Sequence, residues 1–246
     1  MKAMIFSAGL GTRLYPLTAN KPKALAPFGN GTLLSYNINF LKNQGIRSFI
    51  INTHHFAAEI QEYLKDNDFF GSDIVISNEK ILLDTAGGLA KIYPLVRDDK
   101  FILIYNVDII TNINIKGLYN FHVANKNDIS LAMRNRQSSR YLLFDDSGIM
   151  SGWENENTSE KIIRREGVTT KRWAYSGIGI FNIEIIPLIG PIEKKSLIPF
   201  FLDICNNKKI ASYDHTSDFW FDCGSVDKLK EAEEFIKKYS DDESRI

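Results

Sequence analysis

The chain has 246 residues, of which 44% are hydrophobic and 24% are charged, a balance typical of a folded globular protein and not of a disordered chain. Thirty basic residues offset thirty acidic ones, so no overall field favours a nucleic acid or an anionic membrane as a partner. The sequence has only Cys205 and Cys223, without metal-ligand spacing, and it has no signal-peptide core or apolar run of membrane-spanning length, so we expect a cytoplasmic protein.

In the first half of the chain, short apolar runs alternate with segments of helical period. The predicted strands are 2–7, 47–52, 73–77 and 100–107, and the predicted helices are 33–41, 57–64 and 86–93, the last one ended by Pro94. This β-α-β alternation predicts parallel pairing. In such sheets ligands bind outside the carboxyl ends of the strands.

Beyond residue 125 the pattern changes to a mixture of strands and helices. The predicted strands are 129–133, 141–145 and 173–181, joined by a polar stretch at 155–170, and helical patterns return at 196–206 and 226–239 before a frayed tail at 240–246. Together the two halves predict an α/β fold, with a central mixed, mostly parallel sheet flanked by helices in a single Rossmann-like domain.

A glycine-rich segment, residues 8–13, follows the first predicted strand, and its glycines allow backbone amides to approach phosphate oxygens. The third glycine of a dinucleotide fingerprint is replaced by Leu14, and the chain has no Gly-Lys-Ser/Thr of a P-loop, which disfavours a nicotinamide-dependent oxidoreductase. Arg13, Lys21 and Lys23 place three cations beside this turn, where they could converge on one polyphosphate. A solvated basic loop is the alternative.

Asp108 follows the apolar run 100–107. A lone carboxylate is costly to bury there without a partner, but it is well placed to hold Mg²⁺ beside phosphates. A helix or turn cap is the alternative. For Asp222, the residues around it indicate by themselves only a turn.

The segment from Gly9 to Lys23 resembles the signature G-x-G-T-R-(x)-P-L-T-(x)-K-P-K of the sugar 1-phosphate nucleotidyltransferases. The resemblance continues through Asn52, His54-His55 and the segments 83–88, 106–108, 175–177 and 220–225. These enzymes join a sugar 1-phosphate to a nucleoside triphosphate and release pyrophosphate. The resemblance therefore implies a nucleotide-diphospho-sugar transferase fold, with a nucleotide-binding half at about 1–125, a sugar-phosphate-binding half at about 126–240, and no C-terminal β-helix domain.

Carried over residue by residue, the resemblance implies that Arg13 and Lys23 are catalytic and neutralise the triphosphate, and that Asp108 and Asp222 hold Mg²⁺. It implies nucleotide contacts at Ala8, Gly9, Leu10, Gly11, Thr12, Arg13, Lys23, Asn52, Thr85, Gly87 and Gly88. It implies sugar-phosphate contacts at Asn106, Glu166, Ser176 and Gly177. A Glu-Lys-Pro found in several relatives is missing, and Arg164-Arg165-Glu166-Gly167 stands in its place, which leaves the sugar open.

Among compact family members, the pattern most resembles the N-acetylmuramate 1-phosphate uridylyltransferases of cell-wall recycling, with mannose or heptose 1-phosphate guanylyltransferases as the alternative. The expected partners are UTP or GTP and a sugar 1-phosphate, in a monomer or small homo-oligomer that binds no nucleic acid or membrane. A non-catalytic nucleotide-sugar-binding regulatory protein is the alternative from another class. That alternative usually lacks a reaction-centre charge, whereas Arg13, Lys23, Asp108 and Asp222 are all present.

Overall fold

The computed structural model describes the backbone of residues 1–167 and 169–241, so the frayed tail predicted at 240–246 lies outside it from residue 242 onward. The strands are β1 (Lys2–Phe6), β2 (Pro27–Phe28), β3 (Gly31–Thr32), β4 (Ser48–Thr53), β5 (Asp73–Asn78), β6 (Phe101–Asn106), β7 (Ile109–Thr111), β8 (Ile129–Arg134), β9 (Arg140–Phe144), β10 (Met150–Asn155), β11 (Glu160–Ile163), β12 (Lys171–Asn182), β13 (Ile210–Asp214) and β14 (Trp220–Asp222). The α-helices are α1 (Leu33–Asn43), α2 (Ala57–Asp66), α3 (Asp84–Lys91), α4 (Tyr93–Val96), α5 (Ile115–Ala124), α6 (Leu197–Ile204) and α7 (Val226–Asp241). In the part of the chain that is described, no helix is both long and apolar enough to cross a membrane.

The chain divides into two compact units, each assembled from segments that are distant in sequence. The first unit comprises Met1–Met4, Leu83–Tyr105 and Ile113–Asp218, and the second comprises Ile5–Leu82, Asn106–Asn112 and the described residues from Phe219 onward. The single domain expected from the sequence, with a nucleotide-binding half at about 1–125 and a sugar-phosphate-binding half at about 126–240, stays a prediction.

The first unit is organised around β12, which pairs antiparallel with β6, β8 and β9. The antiparallel ladder continues from β9 to β10 and β11, whereas β13 lies parallel to β8. The second unit has the parallel pair of β4 and β5, the antiparallel pair of β7 and β14, and the hairpin of β2 and β3. The predicted α/β class with a mixed sheet and alternating helices is confirmed.

Side-chain hydrogen bonds to backbone amides explain where two of the helices begin. Thr32 and Ser35 form a reciprocal capping box at the start of α1, in which each side-chain oxygen accepts a hydrogen bond from the other residue's backbone amide. Asn114 caps α5 by accepting a hydrogen bond from the backbone amide of Gly117 at 2.8 Å. Helix α5 was not predicted from the sequence, because its residues have low helix propensity and a weak hydrophobic period.

One predicted helix boundary was wrong, and one predicted polar connection contains a strand. Helix α3 ends at Lys91, before Pro94, and Pro94 instead lies in the first turn of α4, where its missing amide leaves no hydrogen bond unmade. The polar stretch 155–170 contains β11, which is held by its ladder with β10. The two strands approach closely at Gly152, where a β-carbon would lie 2.2 Å from the Ile162 carbonyl oxygen. Pairing with a neighbour, which local polarity does not reveal, forms this strand.

A buried apolar cluster in the second unit anchors the elements that carry the polar site. It brings together residues from the glycine-rich loop, β2, α1, β7, the end of β14 and α7. Its buried members are Leu14, Ala26, Phe28, Leu33, Ile110, Cys223, Leu229 and Ala232. Because Leu14, Ile110 and Cys223 are each close in sequence to a predicted site residue, packing of this cluster fixes the backbone of the site.

Candidate active site

The glycine-rich loop leaves β1 and turns sharply at Gly11, which has a left-handed φ of +66°. The Thr18 hydroxyl and the Leu14 backbone amide both donate to the Gly11 carbonyl oxygen, each at 2.9 Å, and so close the turn. In the described part of the chain, the backbone amides of residues 9–13 donate no hydrogen bond to another protein group. The loop therefore presents a run of amide donors that suits phosphate oxygens.

Lys23 lies against this loop and reaches a carboxylate. A β-carbon on Gly11 would lie 2.9 Å from the Lys23 Cβ, and one on Gly9 would lie 3.6 Å from the Lys23 Nζ. The ammonium group donates to Asp108 Oδ2 at 2.9 Å, in an ion pair whose side chains are only 16% and 10% exposed. The glycines thus leave the space that the lysine side chain fills.

The pairing of β7 with β14 brings the backbones of Asp108 and Asp222 next to each other. Asp222 is opposite Ile109 in this ladder, and the Cys223 amide donates to the Asp108 carbonyl oxygen at 2.8 Å. The side-chain amide of Asn37, which is fully buried, donates to the Val107 carbonyl oxygen at 2.7 Å and braces the turn before β7. The sequence indicated only a turn at Asp222, and the structure shows the last residue of a strand.

Arg13 is the second cation, after Lys23, that lies near these carboxylates. A β-carbon on Gly224 would lie 2.6 Å from the Arg13 Nη2 and 2.8 Å from Asp222 Oδ1, so both groups border the space beside that glycine. Asp222 Oδ1 also accepts the Gly224 amide at 3.0 Å. The second unit therefore brings Arg13, Lys23, Asp108 and Asp222 near one another. Their binding of a triphosphate and of Mg²⁺ stays a prediction.

The donor set suits a hard divalent cation that is completed by phosphate oxygens. No group of three or more His, Cys, Asp or Glu side chains among the described residues could hold a metal ion by itself. Two carboxylates with substrate phosphates form a common Mg²⁺ site, because Mg²⁺ prefers oxygen and retains several non-protein ligands. Burial, with the nearby carboxylates of Asp108 and Asp222, raises the pKa of the Cys223 thiol.

Asn52, a predicted nucleotide contact, is buried and uses both ends of its amide inside the protein. Its Oδ1 accepts the Ser7 amide at 2.7 Å, and its Nδ2 donates to Glu79 Oε1 at 2.7 Å. Asn52 thereby fixes the residue from which the chain enters the glycine-rich loop. Glu79 was not among the predicted site residues, although its position directly after β5, at the carboxyl end of a parallel strand, was a usable signal.

Thr85, Gly87 and Gly88 lie in the first unit, in the first turns of α3. The Thr85 hydroxyl accepts the Leu197 amide at 3.0 Å, and the Gly87 amide donates to the Lys195 carbonyl oxygen at 3.1 Å. A β-carbon on Gly87 would lie 2.0 Å from the Glu193 carbonyl oxygen. The small residues therefore allow the segment 193–197 to pack on the helix, and their contact with a nucleobase stays a prediction.

The four predicted sugar-phosphate residues are distributed over both units. Asn106 ends β6 in the second unit, and Glu166 is exposed in the loop between β11 and β12 of the first. Gly177 has a φ of +76° in an irregular stretch of β12, and the adjacent Ser176 is fully buried with its hydroxyl 2.7 Å from His215 Nε2. The Ser176 hydroxyl therefore faces the protein interior, and a sugar contact there would come from the backbone.

His215 supports Ser176 from the end of β13 and is neutral at physiological pH. Burial lowers the pKa of His215 to about 4; Arg134 and Arg136 act in the same direction, and Asp214 opposes them. Arg134 donates to the carbonyl oxygens of His215 at 2.8 Å and of Asp218 at 2.5 Å, which holds the turn after β13. At neutral pH the approach of Asp218 to His215 is therefore not an ion pair.

Comparisons with known proteins identify the family of this chain. The family model described as "Nucleotidyl transferase" matches residues 2–239. The N-acetylmuramate alpha-1-phosphate uridylyltransferase of Neisseria meningitidis serogroup B is 28% identical over 234 residues, covering 95% of this chain and 97% of the relative. The D-glycero-alpha-D-manno-heptose 1-phosphate guanylyltransferase of Campylobacter jejuni is 28% identical over 215 residues, covering 86% and 89%.

Among solved structures, HddC from Yersinia pseudotuberculosis complexed with GMP-PN superimposes with a TM-score of 0.78 at 18% identity, covering 96% of this chain and 99% of that one. At this identity the superposition establishes the fold. The chain therefore belongs to the nucleotidyl transferase family and is an enzyme of the sugar 1-phosphate nucleotidyltransferase class.

Proposed function

We propose that this enzyme transfers a uridylyl group from UTP to N-acetylmuramate 1-phosphate in a Mg²⁺-dependent reaction that releases pyrophosphate. The observation that carries the reaction is the ion pair between Lys23 and Asp108 beside the open amides of the glycine-rich loop, with Asp222 on the adjoining strand. The cations Arg13 and Lys23, together with a run of amide donors, suit a triphosphate. The carboxylates suit the metal that accompanies it.

The reaction needs positioning and charge neutralisation more than proton transfer. An oxygen of the sugar 1-phosphate attacks the α-phosphorus in line, and the bond from this phosphorus to the pyrophosphate oxygen breaks as the new bond forms. The attacking oxygen is already anionic, so no general base is required. Arg13, Lys23 and the amides of residues 9–13 hold the triphosphate and neutralise charge on the leaving pyrophosphate. Mg²⁺ held by Asp108 and Asp222 would reduce the repulsion between the two phosphate groups.

The choice of UTP and N-acetylmuramate 1-phosphate is supported by the relative from Neisseria meningitidis, which matches over 97% of its own length. This nearly full coverage supports the choice because the match then spans both predicted halves of the chain. A guanylyltransferase acting on heptose or mannose 1-phosphate is the second candidate. It is supported by the relative from Campylobacter jejuni and by the similarity to a structure solved with GMP-PN.

Substrate choice is tested by measuring pyrophosphate release for pairs of nucleotide and sugar. UTP, GTP, dTTP, CTP and ATP are crossed with the 1-phosphates of N-acetylmuramate, mannose, heptose, glucose and N-acetylglucosamine in the presence of Mg²⁺. We expect the highest kcat/KM for UTP with N-acetylmuramate 1-phosphate. A preference for GTP with heptose or mannose would select the second candidate, and no release with any pair would refute both substrate proposals.

The metal assignment is tested with Asp108→Asn, which keeps the side-chain size and removes the charge. We expect kcat to fall by about 100-fold or more, because a charged metal ligand is lost. Asp98→Asn is the matched control, since the Asp98 side chain is 95% exposed and is remote from the loop in sequence. Nearly wild-type turnover by Asp108→Asn would refute the role of Asp108 in holding the metal.

A further inference from the structure

Lys23 and a metal ion would bind the same carboxylate. The Lys23 ammonium is 2.9 Å from Asp108 Oδ2, and the pair is shielded from solvent, with side-chain exposures of 16% and 10%. Solvent therefore screens this attraction less than it screens an exposed ion pair. A divalent ion at Asp108 would have to approach a carboxylate that already has a cation beside it.

The backbone of Lys23 lies in a packed, hydrogen-bonded turn, whereas its side chain extends from that turn to Asp108. Pro22 precedes a short 3₁₀ helix at Lys23–Leu25, and the fully buried Ala24 anchors this helix. The lysine stem lies against the Gly11 turn, where a β-carbon would come within 2.9 Å of it. The ammonium group also lies next to Gly9, among the open amides where phosphates are expected. A small rotation of the side chain would exchange one anionic partner for another.

Competition for Asp108 follows from the chemistry of the two cations. Mg²⁺ bonds carboxylate oxygen at about 2.0–2.1 Å, a position in which it would strongly repel an ammonium group on the same carboxylate. We propose that Lys23 is a placeholder cation at Asp108, which moves to the triphosphate when the nucleotide binds and frees the carboxylate for the metal. Metal and nucleotide then bind cooperatively, and each raises the affinity for the other by the same factor. This inference rests on the metal site of the proposed function.

The first test measures Mn²⁺ binding to the full chain without nucleotide, by the electron paramagnetic resonance signal of free Mn²⁺. Lys23→Met should bind Mn²⁺ about tenfold more tightly than the wild type, because the competing ammonium is gone. Lys65→Met is the matched control, since Lys65 is exposed in the last turn of α2, is not one of the predicted phosphate ligands, and should leave the affinity unchanged. Equal Mn²⁺ affinities for Lys23→Met and the wild type would overturn the proposal.

The second test measures UTP and GTP binding in EDTA by calorimetry, and it compares the two carboxylates. Asp108→Asn should tighten binding about fivefold or more, because it releases Lys23 toward the phosphates. Asp222→Asn removes an equal charge from the carboxylate that borders Arg13, so it should have a smaller effect. Equal effects of the two variants would mean that general repulsion, not release of Lys23, controls nucleotide affinity, and would overturn the proposal.

The double variant Lys23→Met with Asp108→Asn separates this inference from the metal assignment. Mn²⁺ binding that is gained in Lys23→Met and lost in the double variant places the ion at Asp108 and supports the placeholder. Mn²⁺ binding that persists in the double variant would show an ion elsewhere and would refute the metal site itself. Binding that depends on Asp108 but is insensitive to Lys23 would refute the placeholder alone.

Discussion

Replacing Gly11 by alanine separates backbone strain from displacement of Lys23. Gly11 and Gly29 both have left-handed φ angles, +66° and +55°, so alanine is strained at either position. A β-carbon at Gly29 has no neighbour within 4 Å, whereas one at Gly11 would lie 2.9 Å from the Lys23 Cβ and 3.0 Å from the Thr18 Cγ2. Gly29→Ala is therefore a matched control that carries the strain without the collision.

The left-handed conformation costs an alanine about 1–2 kcal/mol, so we expect Gly29→Ala to lower the free energy of unfolding by about that amount. Gly11→Ala should lower it by roughly 1 kcal/mol more, because the added methyl group overlaps Lys23 and Thr18. The larger difference should appear in catalysis. A displaced Lys23 should reduce kcat/KM for the nucleotide by about 100-fold, while Gly29→Ala should have wild-type kinetics.

Urea denaturation and pyrophosphate release, measured on the same preparations, check these values. Wild-type kcat/KM in Gly11→Ala would show that the position of Lys23 is unimportant for turnover. An equal loss of activity in Gly29→Ala would show that backbone strain anywhere in this region, and not contact with Lys23, impairs the enzyme.

Two further predictions concern buried polar groups. Asn52→Ala should lower the free energy of unfolding by about 2–3 kcal/mol, because it leaves the Ser7 amide and the Glu79 carboxylate without this partner. A change below about 0.5 kcal/mol in urea denaturation would show that these two hydrogen bonds do not stabilise the fold. The folded-state pKa of His215, about 4, is below its usual value of 6.5, so protonation favours unfolding and its stabilising contribution is lost as pH falls from about 6.5 toward 4. The wild type should therefore lose about 1–2 kcal/mol more stability than His215→Gln between pH 7 and pH 5, and equal losses would refute this cause.

Much of the candidate site could be located from the sequence because its residues follow strands that are recognisable locally. Residues 100–107 form a nearly continuous apolar run, which indicates a buried strand, and Asp108 comes directly after it. The glycine-rich loop is similarly recognisable from the strand before it and from the spacing of its glycines. The short strand β14 gave no such signal, because three residues have too little pattern to identify a strand, and only its pairing with β7 forms it.

The roles of individual polar side chains were less predictable than their locations. Asn52 was predicted to contact the nucleotide, which stays a prediction, and the structure shows that its amide is hydrogen-bonded to Ser7 and Glu79. Ser176 was expected at the sugar phosphate, and its hydroxyl is engaged by His215. A sequence shows that a polar residue follows a strand, but it does not show which partner satisfies that residue's hydrogen bonds.

The sequence by itself determined the reaction class, through a signature that runs from Gly9 to Lys23, and the fold class, through the alternation of apolar strands and amphipathic helices. The tertiary structure alone decided which groups meet. Lys23 contacts Asp108 across 85 positions, Asn52 contacts Glu79 across 27, and Ser176 contacts His215 across 39. Local periodicity fixes strands and helices because their hydrogen bonds and faces repeat over a few residues, whereas contacts at these separations depend on how the packed elements bring distant segments together.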